Sequence, residues 1–112
     1  MSRTDDQRGA ILCAIDHLNE TGIHMLAAIF ESMSYETLRH RLRELHDRGF
    51  ITQQSVRWQF SPAFRKIVDK KVAKLVQAAG ARGLTEAELS KRLRDWLYSL
   101  GGERVRRRSH ID

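Results

Sequence analysis

Apolar side chains recur at helical spacing near the middle of the chain. Leu38, Leu42 and Leu45 lie four and three residues apart, so they form one stripe along a helix. The remaining positions of this segment are mostly polar or charged. Ser34 stands where an N-cap oxygen would accept a hydrogen bond from an early helical amide. The pattern predicts an amphipathic helix over residues 35–48.

A different periodicity follows that helix. Gly49 is placed where a left-handed residue would end it. Residues 50–52 are strand-prone, and Val56, Trp58 and Phe60 alternate with polar neighbours. Two short strands could therefore pair around a polar connection. The pattern predicts a β-hairpin directly after the helix.

Two further helices are predicted before this unit. Ile11, Ile15 and Leu18 continue one apolar stripe, and Thr4 is placed as the N-cap of that first helix. A second, strongly apolar helix is expected over about residues 24–32. Because so apolar a helix needs cover on more than one side, we expect it to support the amphipathic helix that follows.

Two more helices are predicted after the hairpin. Ser61 and Pro62 have the residue types of an N-cap and a first helical position, and a long amphipathic helix should run from there to the break at residues 80–83. Thr85 is placed as the N-cap of another helix, which the glycines at residues 101–102 should stop. The predicted fold is mainly α with a short β-hairpin.

The leucine pattern and the residues after it resemble a known family. Residues 38–51 read Leu-x-x-x-Leu-x-x-Leu-x-x-x-Gly-Phe-Ile, which resembles the recognition helix and first wing strand of winged helix-turn-helix regulators of the MarR, ArsR and Lrp kinds. The resemblance covers roughly residues 8–61. It implies a winged helix-turn-helix followed by two C-terminal helices, and it implies DNA binding. Ser32 stands where the turn in such proteins usually has glycine.

The net charge of +6 comes entirely from the second half of the chain. Residues 1–61, the expected winged-helix DNA-binding domain, contain seven arginines and eight acidic residues; residues 62–112 contain thirteen basic and six acidic residues. Cations supply much of the affinity for phosphate through counterion release. We therefore expect additional affinity for DNA phosphates from a helical extension over residues 62–101, from a basic tail over residues 102–112, or from a second subunit.

The resemblance and helix geometry together suggest the DNA contacts. The N-terminal part of a recognition helix reaches base edges in the major groove, where a guanidinium can donate to two acceptors of guanine at once. The hairpin and the tail would add contacts to phosphates. The candidate DNA-binding residues are Ser34, Tyr35, Glu36, Thr37, Arg39, His40, Arg43, Gln54, Arg57, Arg104, Arg106, Arg107 and Arg108.

Several charged side chains also have an ordinary structural interpretation. Glu36 could pair with His40 one turn later, and Arg41 could pair with Glu44 as solvated surface. The arginine-rich segment 104–108 could be a solubilising tail. These alternatives stay open at the level of the sequence.

The helices after the hairpin carry more apolar residues than a small winged helix needs to cover one face. Related regulators often pair subunits through such helices, so we expect a homodimer. The alternatives are packing onto the first helix of the same chain, and a second helix-turn-helix over residues 75–95. The interface or core candidates are Phe64, Val68, Leu75, Leu93, Trp96 and Leu97.

Other kinds of chemistry find little support in the sequence. No glycine-rich phosphate loop follows a strand, and the five histidines lack metal-ligand spacing, so we expect no enzyme activity, no catalytic residues, no metal and no cofactor. Cys13 cannot form a disulfide within the chain and fits a small core residue. We also expect no membrane association, no small-molecule ligand and a cytoplasmic location.

The main functional hypothesis is therefore a sequence-specific double-stranded DNA-binding protein. It would be a dimeric transcriptional repressor that reads the major groove with the helix over residues 35–48. The alternative is a winged-helix protein-interaction or assembly module in a replication, partition or phage-related complex.

Overall fold

The computed structural model describes residues 2–105 as five α-helices with a small antiparallel sheet. The elements are α1 (Arg3–Leu18), β1 (Glu20–Thr21), α2 (Ile23–Ile29), α3 (Tyr35–Asp47), β2 (Ile51–Gln54), β3 (Arg57–Phe60), α4 (Pro62–Arg82), α5 (Glu86–Ser99) and a 3-10 turn (Leu100–Gly102). The prediction of a mainly helical chain with a short hairpin is confirmed. The tail arginines Arg106, Arg107 and Arg108 lie outside the described residues.

The predicted N-caps are confirmed for three helices and wrong for one. In each confirmed case the side-chain oxygen accepts a hydrogen bond from the backbone N–H three residues later, which satisfies one of the first amides of the helix. These caps are Ser34, Ser61 and Thr85. On α1 the cap is Ser2, whose oxygen accepts from the Asp5 amide at 3.1 Å. Since Ser2 supplies this oxygen earlier in the chain, Thr4 falls inside the helix.

Glycines with left-handed backbone end two of the helices. Gly49 follows α3 with a φ of 87°, as the sequence predicts. The next residue, Phe50, then donates its backbone N–H to the carbonyl of Leu45. Gly83 ends α4 with a φ of 68°, whereas Gly80 remains inside that helix. Of the predicted break at residues 80–83, only Gly83 lies outside the helix, which continues to Arg82.

The connection between α2 and α3 is longer than predicted. The second helix ends at Ile29, three residues before the expected end at Ser32, because the backbone leaves helical geometry at Phe30 with φ −104° and ψ 74°. Ser32 is not among the residues with positive φ. This connection therefore does not require glycine at that position, and serine fits it without left-handed strain.

The sheet contains one strand more than the sequence predicted. Its order is β1-β3-β2, with both pairings antiparallel, and Glu20 lies opposite Gln59. The hairpin turn is Ser55-Val56, and of these two residues only Ser55 has positive φ, at 59°, as in a type II′ turn. The strand β1 was missed because two residues show no alternation. It fixes the hairpin to the segment between α1 and α2.

A single buried cluster joins α1, α2, α3 and the β2-β3 hairpin to the two C-terminal helices. Its fully buried members are Ile11, Leu12, Ile15, Leu26, Leu38, Leu42, Leu45, Phe50, Ile51, Phe64, Val68 and Leu97. Two glycines allow α1 to contact the C-terminus of α5 and the 3-10 turn: a side chain on Gly9 would overlap the Tyr98 carbonyl, and one on Gly101 would overlap the Asp5 carbonyl. The C-terminal helices are therefore part of the same core.

The structure separates the six interface-or-core candidates into two groups. Phe64, Val68 and Leu97 are buried inside the chain, which corresponds to the internal packing that the sequence left open as an alternative. The half-buried members are Leu75, Leu93 and Trp96. Because α5 runs without interruption to Ser99, residues 75–95 are not followed by a second recognition helix within the described residues.

Candidate nucleic-acid interface

The outward surface of α3 carries mixed charge. At about 100° of rotation per residue, Glu36, His40, Arg43 and Asp47 lie opposite the buried leucine stripe. The Glu36 carboxylate lies 3.9 Å from the His40 imidazole, so the predicted pairing one turn apart is present in the structure. Two carboxylates therefore share this surface with one guanidinium, and the surface is not strongly basic.

On one flank of α3 the charged side chains form ion pairs within the protein. Glu44 Oε1 accepts hydrogen bonds from Arg41 at 2.6 Å and from Arg8 at 2.8 Å. Arg8 is only 4% exposed and also donates to Asp5 and to the carbonyl of Gly101. Burial would raise the pKa of Glu44, but the hydrogen bonds and charges of both arginines lower it below its ordinary value. This flank joins α1, α3 and the 3-10 turn.

The other flank of α3 borders an open cleft of about 680 Å³. Arg39, Arg43 and His46 lie along this flank, and the opposite walls come from the start of α2 and from the hairpin. Within residues 2–105, Arg39 and Arg43 make no hydrogen bond or ion pair. The predicted candidates thus include two guanidinium groups that have hydrogen-bonding capacity to spare.

Aromatic contacts hold the walls of the cleft. His24 at the start of α2 is 2.9 Å from the Tyr35 hydroxyl at the start of α3. The His46 and Trp58 rings pack edge-to-face with their centroids 6.2 Å apart, and this contact joins the end of α3 to β3. Sequence reasoning did not include His24, His46 or Trp58 among the candidates. The spacing of His46 seven residues after Arg39 places both on one side of the helix, and this signal could have identified it.

The N-terminal polar residues of α3 already have partners. Ser34 Oγ accepts from the Thr37 amide and donates to Thr37 Oγ1 at 3.0 Å. The Tyr35 hydroxyl is hydrogen-bonded to His24. These three candidates therefore hold the start of the helix in place, and any contact of theirs with a ligand would come in addition to that role.

The two hairpin candidates also have partners within the chain. Arg57 donates to Glu20 of β1 at 2.8 Å, and Gln54 accepts from Gln59 at 2.9 Å. An exposed ion pair such as the first contributes at most about 1 kcal/mol, so a phosphate could displace Glu20. The most exposed apolar side chain of the hairpin is Val56, at 75%.

The C-terminal segment returns to the far end of α3. The Val105 amide donates to the Arg48 carbonyl at 2.7 Å, and the Arg48 side chain donates to the Gly101 carbonyl. Arg104 therefore lies beside the C-terminus of α3, and the 13-residue helix separates it from Ser34 by about 20 Å. A phosphate contact by Arg104 would be made far from the start of α3.

The residues from 2 to 105 contain no group of three or more metal-ligating side chains, and no helix among them is long and apolar enough to cross a membrane. Burial, with a smaller effect of the Asp16 carboxylate, raises the pKa of Cys13 to about 11. The thiol of Cys13 therefore stays protonated near neutral pH, and it lies 3.4 Å from the Arg94 carbonyl.

Comparisons with family models, with curated proteins and with solved structures give no match to this chain.

Proposed function

We propose that this protein is a sequence-specific double-stranded DNA-binding regulator with a winged helix-turn-helix. The order of elements supports the proposal: three helices, with a short strand after the first, are followed by a β-hairpin that pairs with that strand. In this interpretation α3 is the recognition helix and β2-β3 is the wing. The observation that carries the proposal is the pair Arg39 and Arg43 on the exposed side of α3, which have no ion-pair partner within residues 2–105.

The difference between free and paired arginines gives the proposal its physical basis. A guanidinium that is already in an ion pair must lose that partner before it can donate to a base. Arg39 and Arg43 have no such partner within residues 2–105, whereas Arg41 does. Each well-placed bidentate contact with guanine would contribute roughly 1–3 kcal/mol of discrimination between bases.

The mixed charge of α3 implies that most of the affinity comes from elsewhere. Glu36 and Asp47 flank Arg43 on the outward surface and would oppose phosphates. The net positive charge of residues 62–112 would compensate by neutralising phosphates along the duplex. We therefore infer that α3 reads bases, while the C-terminal half contributes binding that does not depend on sequence.

A homodimer would double these contacts on an inverted repeat. Because three of the interface candidates are buried in the chain, we place the pairing surface on the exposed side of α4. Val72 is 36% exposed there, Val76 is 55% exposed, and Leu75 is half-buried beside them. As a dimer on its operator, the protein would act as a repressor by excluding polymerase.

The proposal is tested by selecting bound fragments from random duplex DNA and measuring binding of the selected site. Substituting Arg39→Ala together with Arg43→Ala should remove the preference for the selected site over random DNA. The matched control is Arg82→Ala with Arg92→Ala, which removes the same charge from exposed positions on α4 and α5. The control should weaken binding to all sequences about equally. Equal loss of preference in both variants would contradict the role of α3.

The mixed charge on α3 also favours a second candidate function, a protein-interaction or assembly module. Such a module would use the exposed surface of α3 to contact another protein. Measuring affinity for random duplex DNA over a range of salt concentrations separates the two. A DNA reader should bind with an affinity that falls steeply as salt rises, whereas an interaction module should show no measurable binding even at low salt.

A further inference from the structure

We infer that the cleft between α3 and the hairpin binds one unpaired nucleotide, with the base inside and its phosphate on Arg39 and Arg43. The inference rests on the proposed function, since it specifies a second nucleic-acid ligand for the same side of α3. An unpaired nucleotide could be part of a single-stranded segment or could be free in solution. The two sources share the chemistry of a flat base joined to an anionic phosphate.

The shape of this surface differs from that needed to read a duplex. A recognition helix enters the major groove as a protruding rod. On the hairpin side, however, α3 forms one wall of a concave space of about 680 Å³, within the roughly 300–1,000 Å³ range of small-ligand sites. A base held in a duplex could not enter this space, because its neighbours in the stack would hold it outside.

The inner surface of the cleft is suited to a base. Ile23, Leu42, Val56 and Trp58 contribute apolar surface, and the half-buried Trp58 is the one aromatic ring of this group. Stacking of a base on an aromatic side chain contributes roughly 1–3 kcal/mol and depends little on which base it is. Gln53 also lines the cleft and offers both a donor and an acceptor for a base edge.

The charges on the cleft favour an anion at one side. Arg39 and Arg43 lie one helical turn apart and have no ion-pair partner within residues 2–105, so both guanidinium groups can donate to phosphate oxygens. Asp47 is the one carboxylate among the described residues that line the cleft, and it lies 3.4 Å from the His46 ring nitrogen. The lining therefore keeps a net positive charge next to its apolar surface.

If the cleft binds a nucleotide in this way, duplex DNA and the nucleotide should compete for binding. Arg39 and Arg43 would donate to guanine when α3 reads a duplex and to phosphate when the cleft holds a nucleotide. The same donors cannot serve both at once, so occupation of the cleft should lower duplex affinity, and a bound duplex should lower affinity for the nucleotide by the same factor.

The test compares probes that differ only in the base. A fluorescein-labelled four-nucleotide thymidine oligonucleotide is titrated with the full-length protein, followed by competition with an abasic oligonucleotide of equal length and charge. We expect the thymidine oligonucleotide to bind at least about tenfold more tightly than the abasic one, equivalent to about 1.4 kcal/mol from stacking. Equal affinities of the two would overturn the inference, because phosphate contacts alone would then explain binding.

A second measurement locates the base. In the Trp96→Phe variant, Trp58 is the one remaining tryptophan, so quenching of its fluorescence by the oligonucleotide reports contact within the cleft. The variant is first checked by circular dichroism, since Trp96 stacks on Phe64. Trp58→Leu should remove the preference for the thymidine probe over the abasic one. If that preference survives Trp58→Leu, the base binds elsewhere and the cleft assignment is wrong.

Two further probes distinguish a free nucleotide from single-stranded DNA as the ligand. They also distinguish failure of this inference from failure of the proposed function. Thymidine monophosphate that displaces the oligonucleotide at similar concentration would assign the cleft to a free nucleotide; displacement only by the longer probe would assign it to single-stranded DNA. Binding of a 20-base-pair duplex is measured in parallel. Duplex binding without any base-dependent single-strand binding would reject the cleft assignment and leave the proposed function standing. Absence of both would reject the two together.

Discussion

Both flanks of α3 carry arginine side chains, but these are ion-paired on one flank and face an open cleft on the other. On one flank, Glu44 pairs with both Arg41 and the buried Arg8, so these charges hold the helix to α1. On the other, Arg39 and Arg43 border an open cleft without partners within residues 2–105. The role of each arginine on α3 therefore depends on the neighbour that faces it, and four predictions test the difference between the flanks.

The largest effect is expected at the centre of the paired flank. Arg8→Met removes a nearly buried cation that donates to three acceptors on α1, α3 and the 3-10 turn. We expect the free energy of unfolding to fall by about 3 kcal/mol, because the buried Gly101 carbonyl and two partly exposed carboxylates lose their donor. Urea denaturation measures this change. Arg3→Met, at an exposed position of the same helix, is the control and should change stability little.

The next effect concerns the contact between α1 and the end of the chain. Gly101→Ala would place a methyl group against the Asp5 carbonyl, so the two segments must separate. We expect a loss of about 2–3 kcal/mol from overpacking. Gly80→Ala is the matched control, since no atom lies within 4 Å of its added carbon, and it should stabilise α4 by about 0.5–1 kcal/mol. Similar effects in both variants would show that this contact is not tight.

A smaller, pH-dependent effect is expected at Glu44. Its folded pKa is lowered below the ordinary value of 4.5, so its contribution is present above that pH and is lost as pH falls through the folded pKa. Because the side chain is partly exposed, Glu44→Gln should cost about 1 kcal/mol near pH 7 and progressively less below pH 4.5. Denaturation at several pH values, with exposed Glu31→Gln as control, measures the difference. A cost independent of pH would contradict an ionic role.

The smallest effect on stability is expected on the open flank. Arg43→Ala removes a side chain that makes no hydrogen bond or ion pair within residues 2–105, so the free energy of unfolding should change by no more than about 0.5 kcal/mol. The same urea titration measures it. A loss near that of Arg8→Met would mean that Arg43 has a structural role, and the contrast between the flanks would disappear.

Much of the fold could be predicted because its signals are local. The leucine stripe of α3, the caps at Ser34, Ser61 and Thr85, and the stop at Gly49 each depend on a few neighbouring residues. At the start of α1, Ser2 and Thr4 are both of a residue type suited to an N-cap and lie within one turn, so the pattern selected the wrong one. The two-residue strand β1 carries no pattern of its own, and it exists because β3 lies beside it.

The candidate site could be predicted only in part. Exposed arginines on α3 follow from helix periodicity, and so does the pairing of Arg41 with Glu44. The pairing of Arg57 with Glu20 does not, since it spans 37 residues across a strand that the pattern did not indicate. The cleft itself is formed by α2, α3 and the hairpin together, and no single segment of the sequence contains it.

The sequence by itself determined the order of the main helices and the hairpin, and the concentration of positive charge after residue 61, because periodicity, capping and charge are properties of short segments or of composition. The tertiary structure decided which charges are used internally and which remain available. Arg8 is buried between α1, α3 and the 3-10 turn because Gly9 and Gly101 allow these segments to approach closely. Phe64 is buried because α4 packs against the core of the same chain. Such choices depend on contacts between distant segments, which spacing along the chain does not encode.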